Sequence, residues 1–439
     1  MWTCDSINRL FMPCGIRLEM TRSMRDIEKM KQRRRKSRYV IGLDVGTTKV
    51  CAIVGEEADG MCNIIGVGTT PSLGLKKGIV IDTEQTVESI QKAVDKASRM
   101  AGREVQDVIV GIAGGHIQCQ NSRASIEIMN PGRGIARRDI VRVTDRAKAL
   151  SMPVDREILH LIPQEYLTDG GPVKNPIGQV SSKLEVNVHI VTAAVTAVQN
   201  LIRCVKQGGY NTSDILLQSI ASSESILEQE EKELGVLLLD IGGGTTDVAI
   251  LNNGHIRYTG VIPFGGDNLT KDIAEGLKIS LFDAENIKKK FGCAMASLVR
   301  SEENFSVMQV VNRKKVDVKR QKLADIIEAR LEEIFHLVQE SIKVMPERDR
   351  FYVGVVLTGG STLLEGICEL GEKIFECPCR VGVPQGLKGM TSVINSPIYS
   401  TGVGLVQHGF SDVLNHPPNG KGLYEWTKDT LVKILDFFR

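Results

Sequence analysis

Aromatic residues and unbalanced charge are both scarce in this 439-residue chain. Phe, Trp and Tyr make up 5% of it, and 55 Lys and Arg nearly balance 53 Asp and Glu. Few aromatic side chains leave little to stack on bases, and a net charge of +2 gives no field that attracts a polyanion. We therefore exclude a general nucleic-acid-binding protein and expect no nucleic-acid partner.

Long apolar runs and paired cysteines are also missing. No run approaches the roughly 20 residues that span a bilayer, and the N-terminus has no signal-peptide core. The ten cysteines include no Cys-x-x-Cys pair, and Cys377-Pro378-Cys379 lacks further ligands at metal spacing. We expect a cytosolic protein with reduced thiols and no metal site built on cysteine.

The excess positive charge lies in the first 38 residues, which include KMKQRRRKSR at positions 29–38. Such a run can be an arm for nucleic acid, but it is more often a solvated tail. We predict a disordered basic N-terminal extension over residues 1–38. The remaining length is too great for one ordinary core, so we expect two or more domains.

A glycine-rich stretch, LLLDIGGGTTDVAIL at positions 237–251, first suggests a phosphate loop. In Rossmann and P-loop proteins such a loop leads directly into a helix. Here the next residues alternate like a strand, Asn253-Gly254 is a strong hairpin signal, and no Gly-Lys-Ser/Thr sequence is present. The sequence therefore predicts a glycine turn between two strands, with Asp240 at the end of the first strand.

The same pattern occurs earlier in the chain, as IGLDVGTTKVCAIVGE at positions 41–56. Both copies run from an apolar strand through Leu-Asp, a glycine turn and a Thr-Thr pair to one polar residue and a second strand. A duplication at domain spacing indicates two similar halves. The alternative is two unrelated hairpins, which the position-by-position match disfavours.

Each hairpin has the features of an anion-binding site. Glycines leave consecutive backbone amides open to a ligand, and the Thr hydroxyls supply further donors. Asp44 and Asp240 would face the polyanion, with a repulsion of ~4 kcal/mol per pair at an effective dielectric of 20, so a hard cation such as Mg²⁺ is needed. We predict both aspartates as metal-binding residues. The predicted phosphate-binding residues are Gly46, Thr47, Thr48, Lys49, Gly242, Gly243, Gly244, Thr245 and Thr246.

A third glycine-rich turn lies in FYVGVVLTGGSTLLEGI, at positions 351–367. The pattern predicts a strand, a double glycine and then a helix through Leu363, Leu364 and Ile367. Such a junction lets the backbone lie flat against a nucleoside. We predict nucleoside-binding residues at Gly359, Gly360 and Ser361.

Together these segments resemble the actin–Hsp70–sugar kinase superfamily, whose members bind ATP with Mg²⁺. The resemblance implies an α/β, actin-like (RNase H-like) duplicated fold with two lobes around a nucleotide cleft. LQSIASSESIL (217–227) resembles the connecting helix, in which Gln218 would orient the attacking water beside the catalytic Asp44 and Asp240. FDAENIKKKFG (282–292) resembles the segment beside the adenine, with Glu285 and Lys288 on one helix face. An ordinary solvated ion pair is the alternative for these two.

Further segments resemble the FtsA family of bacterial cell-division proteins. They are VIVGIAGGHIQCQNS, HLIPQEYLTDG, NPIG and FGGDNLTKDIAEGL, and the last one adds Gly266 to the cofactor-binding residues. The segment between Gly115 and the strand LEVNVHIVTA (184–193) predicts a small α+β insert in the first lobe, as in that family. Without a metal partner, His160 in this insert is expected to be structural.

The resemblance divides the chain as follows. The first lobe comprises residues 39–116, 193–232 and 392–409, with the insert at 117–192. The second lobe comprises residues 233–391. A flexible linker rich in Pro, Gly and Asn follows at 410–422, and residues 423–439 form an amphipathic helix.

The segment LYEWTKDTLVKILDFFR (423–439) has apolar residues at helical spacing. The helix would be about 25 Å long at 1.5 Å per residue, with aromatic residues that can enter a membrane headgroup boundary. Three acids offset three bases, so anchoring would depend on apolar burial rather than on anionic lipid. A helix docked on protein is the alternative. The predicted membrane-contacting residues are Trp426, Leu431, Ile434, Phe437 and Phe438.

The resemblance implies an adaptor that binds ATP, polymerises and tethers the tubulin-like FtsZ ring to the cytoplasmic face of the inner membrane at the division site. Its expected partners are the FtsZ C-terminal tail, further copies of itself, membrane lipid and downstream division proteins. We expect at most weak ATPase activity. The alternatives are a small-molecule kinase, for which no carboxylate base can be assigned, and a pilus-assembly-type actin-like ATPase, which the tail disfavours.

Overall fold

A computed structural model describes residues 39–58, 61–149, 153–311, 313–345 and 352–415. The predicted basic extension and C-terminal helix, with residues 416–422 of the predicted linker, lie outside these ranges. In the described part, no helix is both long and apolar enough to cross a membrane.

The described residues form nineteen strands and eleven helices. The strands are β1 (Tyr39–Val45), β2 (Lys49–Ala58), β3 (Met61–Pro71), β4 (Leu75–Lys76), β5 (Ile79–Val80), β6 (Asp107–Ile112), β7 (Gln118–Glu127), β8 (Arg156–Thr168), β9 (Gly171–Val173), β10 (Lys183–Ala194), β11 (Asn211–Leu217), β12 (Val236–Ile241), β13 (Thr246–Asn252), β14 (His255–Ile262), β15 (Asn304–Met308), β16 (Lys315–Lys319), β17 (Val355–Thr358), β18 (Cys379–Val381) and β19 (Leu387–Gly389). The helices are α1 (Thr83–Ala101), α2 (Arg137–Lys148), α3 (Val195–Gln207), α4 (Gln218–Ile226), α5 (Gln229–Leu234), α6 (Gly266–Leu277), α7 (Leu281–Phe291), α8 (Arg320–Ile342), α9 (Ile367–Phe375), α10 (Thr391–Ile394) and α11 (Ser400–Asn415).

The first lobe is built on a six-stranded sheet with the order β11-β6-β1-β2-β3-β19. β1, β2 and β3 form an antiparallel meander, and β6 and β11 extend the sheet in parallel beyond β1. Gly66 and Gly68 of β3 lie against α1, whereas Cys51 and Ile53 of β2 lie against α11. Because Ala52 pairs with Gly68 and neighbouring strand residues point to opposite faces, the two helices cover opposite faces of the sheet.

The second lobe repeats this plan in a five-stranded sheet with the order β14-β13-β12-β17-β18. β12, β13 and β14 form the antiparallel meander, and β17 and β18 add in parallel. Asn253 (φ 53°) and Gly254 (φ 73°) join β13 to β14 in a turn with two positive φ angles, as their sequence predicts. The two similar α/β halves predicted from the two hairpins are confirmed.

The insert is a four-stranded sheet, β7-β10-β8-β9, covered by α2. Leu184, Val186, Val188 and Ile190 alternate along β10 and are buried against α2, which is the period-2 pattern of a one-sided sheet. The small α+β insert predicted for this segment is present. The insert also contacts the second lobe, because Gln164 Nε2 donates to Ile256 O at 2.8 Å.

Two boundaries of the predicted domain division require correction. β19 pairs in parallel with Cys62–Ile64 of β3, so residues 387–389 belong to the first sheet, although the prediction assigned residues up to 391 to the second lobe. α11 continues to Asn415, so the linker does not begin at residue 410. Phe410 is buried against β2 and extends the helix face that covers the first sheet, which explains why the chain stays helical there.

α4 and α11 pack closely where the chain passes between the lobes. A Cβ on Gly404 of α11 would lie 1.8 Å from the Ala221 carbonyl oxygen of α4. Glycine is required here because the clash is with backbone, which cannot rotate away as a side chain can.

Gly404→Ala should therefore lower the free energy of unfolding, although alanine has the higher helix propensity by about 1 kcal/mol. We expect a net loss of about 1–3 kcal/mol, typical of overpacking, in urea denaturation followed by circular dichroism. Gly276→Ala in α6 is the matched control, because its Cβ would meet only the flexible end of Ile326. Equal stability of the two variants would contradict this account of the α4–α11 contact.

Candidate functional site

A cleft of about 610 Å³ lies between the two lobes, at the ends of β1, β12 and β17. It brings together most of the site residues that the sequence predicts. Those that line it are Asp44, Gly46, Thr47, Thr48, Lys49, Gln218, Asp240, Gly242, Gly243, Gly244, Thr245, Glu285, Lys288, Gly359, Gly360 and Ser361.

The two glycine turns have the same internal hydrogen bond and touch each other. Gly46 N donates to Lys49 O at 3.0 Å, and Gly242 N donates to Thr245 O at 2.9 Å. A Cβ on Gly243 would lie 2.2 Å from the Thr48 side chain, and one on Gly244 would lie 2.6 Å from Thr47 Oγ1. Glycine in the second turn is therefore what allows the two lobes to meet at the base of the cleft.

The second turn is oriented by the start of α6. Gly266 N donates to Gly242 O at 2.9 Å, and Asp267 N donates to Gly243 O at 2.8 Å. In a planar trans peptide the N–H points opposite to the C=O. The amides of Gly243 and Gly244 consequently point away from α6, an arrangement that suits an anion in the cleft.

One face of α4 holds the aspartates of both lobes. Gln218 Nε2 donates to Asp44 Oδ1 at 2.9 Å, and Ser222 Oγ donates to Asp240 Oδ2 at 2.7 Å. Residues four apart lie on the same face of a helix. From α11, Thr401 Oγ1 donates to the same Asp240 oxygen at 3.2 Å. The connecting helix thus fixes both carboxylates relative to one another.

The pKa values of three aspartates of the cleft are raised. Burial raises the pKa of Asp44 to about 6, with the charge of Asp240 adding to the rise and Lys49 opposing it. Burial also raises the pKa of Asp240, against the hydrogen bonds from Ser222 and Thr401. The pKa of Asp247 rises well above its usual range through burial and the neighbouring Asp240 and Asp44.

The donor set of the cleft fits a hard cation. Asp44, Asp240 and Asp247 are all buried, and within the described residues no group hydrogen-bonds to the buried Asp247 Oδ1. Among the residues that the structure describes, only Lys49 forms an ion pair with one of them, at 3.8 Å from Asp44 Oδ2, and it also donates to Ile398 O. In the described part of the chain, no three His, Cys, Asp or Glu side chains lie at direct ligand spacing. A Mg²⁺ ion here would therefore be held partly through water, as this ion commonly is.

The far end of the cleft is formed by α6, α7 and the third glycine turn. Lys288 Nζ lies 2.7 Å from Glu285 Oε2 and donates to Gly266 O at 2.9 Å. Burial raises the pKa of Glu285, but the bonds from Lys288, Thr270 and Lys289 lower it to a net value of about 2. Because Lys288 is buried in this network, the Glu285–Lys288 pair differs from the ordinary solvated ion pair that was the alternative. Ser361 Oγ donates to Gly242 O at 3.2 Å and joins this end to the second turn.

Two predicted residues do not line the cleft. Thr246 is fully buried, and its hydroxyl donates to Phe264 O at 2.9 Å. Gly266 lies behind the lining, where it accepts the Lys288 bond. After the double glycine, a 3₁₀ turn over Gly360–Leu363 precedes α9, so the helix begins at Ile367 and not at Leu363.

Sequence reasoning also missed residues of the site. Asp247 follows the Thr-Thr pair at the position that Lys49 holds in the first copy. Alignment of the two copies could therefore have indicated Asp247 as a site residue. Ser222 and Thr401 bind Asp240 from helices distant in sequence, and no local pattern marks them.

His160, expected to be structural, is buried and accepts from Leu217 N at 3.0 Å, and burial lowers its pKa to about 4.

The raised pKa of Asp44 predicts a pH-dependent stability of the metal-free protein. Folded Asp44 binds its proton more tightly than an unfolded aspartate of pKa near 3.8, so this stabilisation is complete below pH 3.8 and is lost as pH rises through about 6. Asp44→Asn should remove the Asp44 contribution to this dependence, gaining up to ~3 kcal/mol over the wild type near neutral pH, while Asp240 and Asp247 keep theirs. Thermal melts between pH 5 and 7.5 without divalent ions measure this. Glu57→Gln, an exposed carboxylate change on the same sheet, is the control, and an identical pH slope in wild type and Asp44→Asn would contradict the assignment.

Comparison with known proteins identifies the family. The family model described as cell division protein FtsA matches residues 237–404, and the one described as the SHS2 domain inserted in FtsA matches residues 114–192. The chain is 46% identical to cell division protein FtsA of Pseudomonas aeruginosa over 374 residues, which cover 85% of this chain and 89% of that protein. It is 38% identical to the Escherichia coli K12 FtsA over 387 residues, which cover 86% of this chain and 92% of that protein. It is 39% identical to the Bacillus subtilis FtsA over 368 residues, which cover 84% of this chain and 82% of that protein.

Solved structures with the same fold are more distant in sequence. A chain of a PilM–PilN type IV pilus biogenesis complex aligns with a TM-score of 0.62 and 15% identity, covering 84% of this chain and 98% of that one. MreB5 of Spiroplasma citri bound to ADP aligns with a TM-score of 0.53 and 16% identity, covering 87% and 99%. These two establish the actin-like fold alone. With relatives this close over most of its length, the chain belongs to the FtsA family of cell-division proteins.

Proposed function

We propose that this chain binds ATP with Mg²⁺ in the cleft between its lobes and acts as an actin-like adaptor that tethers the FtsZ ring to the membrane. One observation carries the proposed nucleotide binding. Two residues on one face of α4 hydrogen-bond to Asp44 and Asp240, and the two glycine turns beside these aspartates are in contact. Such a site presents backbone donors for phosphates beside carboxylates that need a cation.

The phosphates would lie between the turns, near Thr47, Thr48 and the amides of Gly243 and Gly244. The nucleoside would lie towards the third turn, between Gly359-Gly360 and the Glu285–Lys288 pair. Mg²⁺, when bound, would neutralise the charge that the phosphates and the carboxylates share. Asp44, Asp240 and Asp247 are the residues that would hold it.

Slow hydrolysis is the expected activity. Gln218 donates through Nε2 to Asp44, which leaves its amide oxygen to accept from a water. A neutral amide can orient that water but is a poor proton acceptor, so the rate should be low. A small-molecule kinase would need a carboxylate base beside a second substrate. Asp44 and Asp240 instead accept hydrogen bonds from side chains of α4 and α11. This arrangement supports a nucleotide-binding adaptor over a kinase.

An exposed apolar patch on the second lobe suits a docking peptide. Phe282 at the start of α7 is 75% exposed, and Val311 beyond β15 is 92% exposed. Val310 N donates to Lys278 O at 3.0 Å, which brings the end of β15 beside the turn between α6 and α7. Exposed large apolar side chains on neighbouring segments often mark a protein-interaction site. We infer that the FtsZ C-terminal tail docks here.

Membrane attachment falls to the segment 423–439, which lies outside the described residues. α11 ends at Asn415, so few residues separate the folded first lobe from this segment. A single amphipathic helix binds a bilayer weakly and reversibly. Polymerisation would place many such helices on one surface, and the raised effective concentration would give firm attachment. The protein would then act on the cytoplasmic face of the membrane at the division site, where further division proteins join it.

Asp240→Asn tests the nucleotide site while keeping acceptors for Ser222 and Thr401. We expect affinity for ATP to fall by about 10–100-fold in the presence of Mg²⁺, the range typical of perturbed metal sites, with little change when EDTA is present. Isothermal titration calorimetry measures both. Asp325→Asn, an exposed change on α8 of the same lobe, is the control. Mg²⁺-dependent tight binding by Asp240→Asn would refute the proposed role of the carboxylates.

Deletion of residues 423–439 tests the tether. The truncated protein should no longer float with lipid vesicles or recruit FtsZ to them, while its ATP affinity stays unchanged. Because acids and bases balance in the segment, a chain that lacks the basic residues 1–38 should bind neutral and anionic vesicles within a few-fold of each other. Leu431→Asp with Phe437→Asp should abolish flotation, and Glu425→Gln with Asp429→Asn should not. Flotation of the truncated chain would place the anchor elsewhere.

A further inference from the structure

Lys77 occupies a backbone conformation that lysine rarely adopts. It forms the turn of the short β4–β5 hairpin with Gly78, and both residues have positive φ angles, 50° and 76°. A turn of this kind strongly favours Asn, Asp or Gly at its first position. The chain follows that preference at Asn253-Gly254, which has the same pair of positive angles. Lysine at position 77 is therefore unfavourable for the local backbone, and such outliers often serve a function.

The side chain of Lys77 crosses from the first lobe to the second. Its Nζ lies 5.3 Å from the centroid of the Phe264 ring, within the range of a cation–π contact. Arg330 Cζ lies 5.9 Å from the same ring, but its charge is balanced by Asp272, whose Oδ2 is 2.5 Å from Nε. Lys77 thus supplies the first-lobe half of an aromatic bridge between the lobes.

Both ends of this bridge are tied to the glycine turns of the cleft. On the first lobe, Gly78 N donates to Thr47 Oγ1 at 3.1 Å, so the hairpin is bonded to the first turn. On the second lobe, Phe264 O accepts from Thr246 Oγ1, and Phe264 immediately precedes Gly265 and Gly266. Separation of the two turns would therefore pull Lys77 away from Phe264.

We propose that Lys77 is an interlobe positioning residue, which holds the cleft closed on bound nucleotide through Phe264 and so slows nucleotide release. This inference rests on the proposed binding of ATP in the cleft. A contact made only in the closed form stabilises that form, and ligand release must break it first. The same bridge gives a lysine a role at a position where the turn itself would favour asparagine.

The test is the release rate of a fluorescent ATP analogue from the full-length protein with Mg²⁺, followed by stopped flow after chasing with excess ATP. Lys77→Asn suits the turn and removes the bridge, so its thermal stability should equal or exceed that of the wild type while release becomes about two- to fivefold faster, the worth of a partly exposed cation–π contact. Lys77→Arg keeps a cation and should release at the wild-type rate. Phe264→Leu should release as fast as Lys77→Asn, and the double variant no faster than either. Lys76→Asn, the exposed neighbour, is the control.

The outcomes separate the two proposals. If the wild type binds no nucleotide, the proposed function fails and this inference fails with it. If the wild type binds but Lys77→Asn releases at the wild-type rate, the bridge is overturned and the proposed function stands. Additive effects of Lys77→Asn and Phe264→Leu would also overturn it, because the two side chains would then act independently.

Discussion

Two buried carboxylates, one from each lobe, set the central constraint of this molecule. Asp44 and Asp240 end equivalent strands of a duplicated fold, and the pKa of each is raised by burial. Charged groups this deeply buried cost free energy unless something neutralises them. The fold does not supply enough positive charge, because Lys49 alone forms an ion pair with either aspartate among the described residues. Under the proposed function, a bound cation and its nucleotide would offset this cost.

The surrounding elements can be understood as supports for that pair. α4 contributes Gln218 and Ser222 from one face, so its position fixes the separation of the carboxylates. α11 packs against α4 at Gly404 without an intervening side chain and adds Thr401. The insert reaches the second lobe through Gln164 and through His189, whose Nε2 lies 2.8 Å from Thr259 Oγ1 on β14. The insert therefore contacts the strand that pairs with β13, which carries Asp247.

The sequence predicted the parts of the site that lie within a few residues of each other. The repeated Leu-Asp, glycine turn and Thr-Thr pair predicted both hairpins, and their match predicted that two lobes face one cleft. Partners from distant segments could not be predicted, because a serine in a helix gives no sign of the carboxylate that it will bind. Ser222 and Thr401 are of this kind, and so is β19, a three-residue strand whose pairing with β3 depends on the tertiary fold. Thr246 shows another limit. The same Thr-Thr pattern places both Thr47 and Thr48 in the lining of the cleft, whereas β13 begins at Thr246 and its hydroxyl donates to Phe264 O.

The most direct test is the position of the metal in a crystal of the protein grown with ATP and Mn²⁺, located by anomalous scattering. Our account predicts one strong peak between the glycine turns, within about 4–5 Å of carboxylate oxygens of both Asp44 and Asp240, as for an ion held partly through water. A peak associated with only one lobe, or ATP bound in the cleft with no metal near either aspartate, would contradict it.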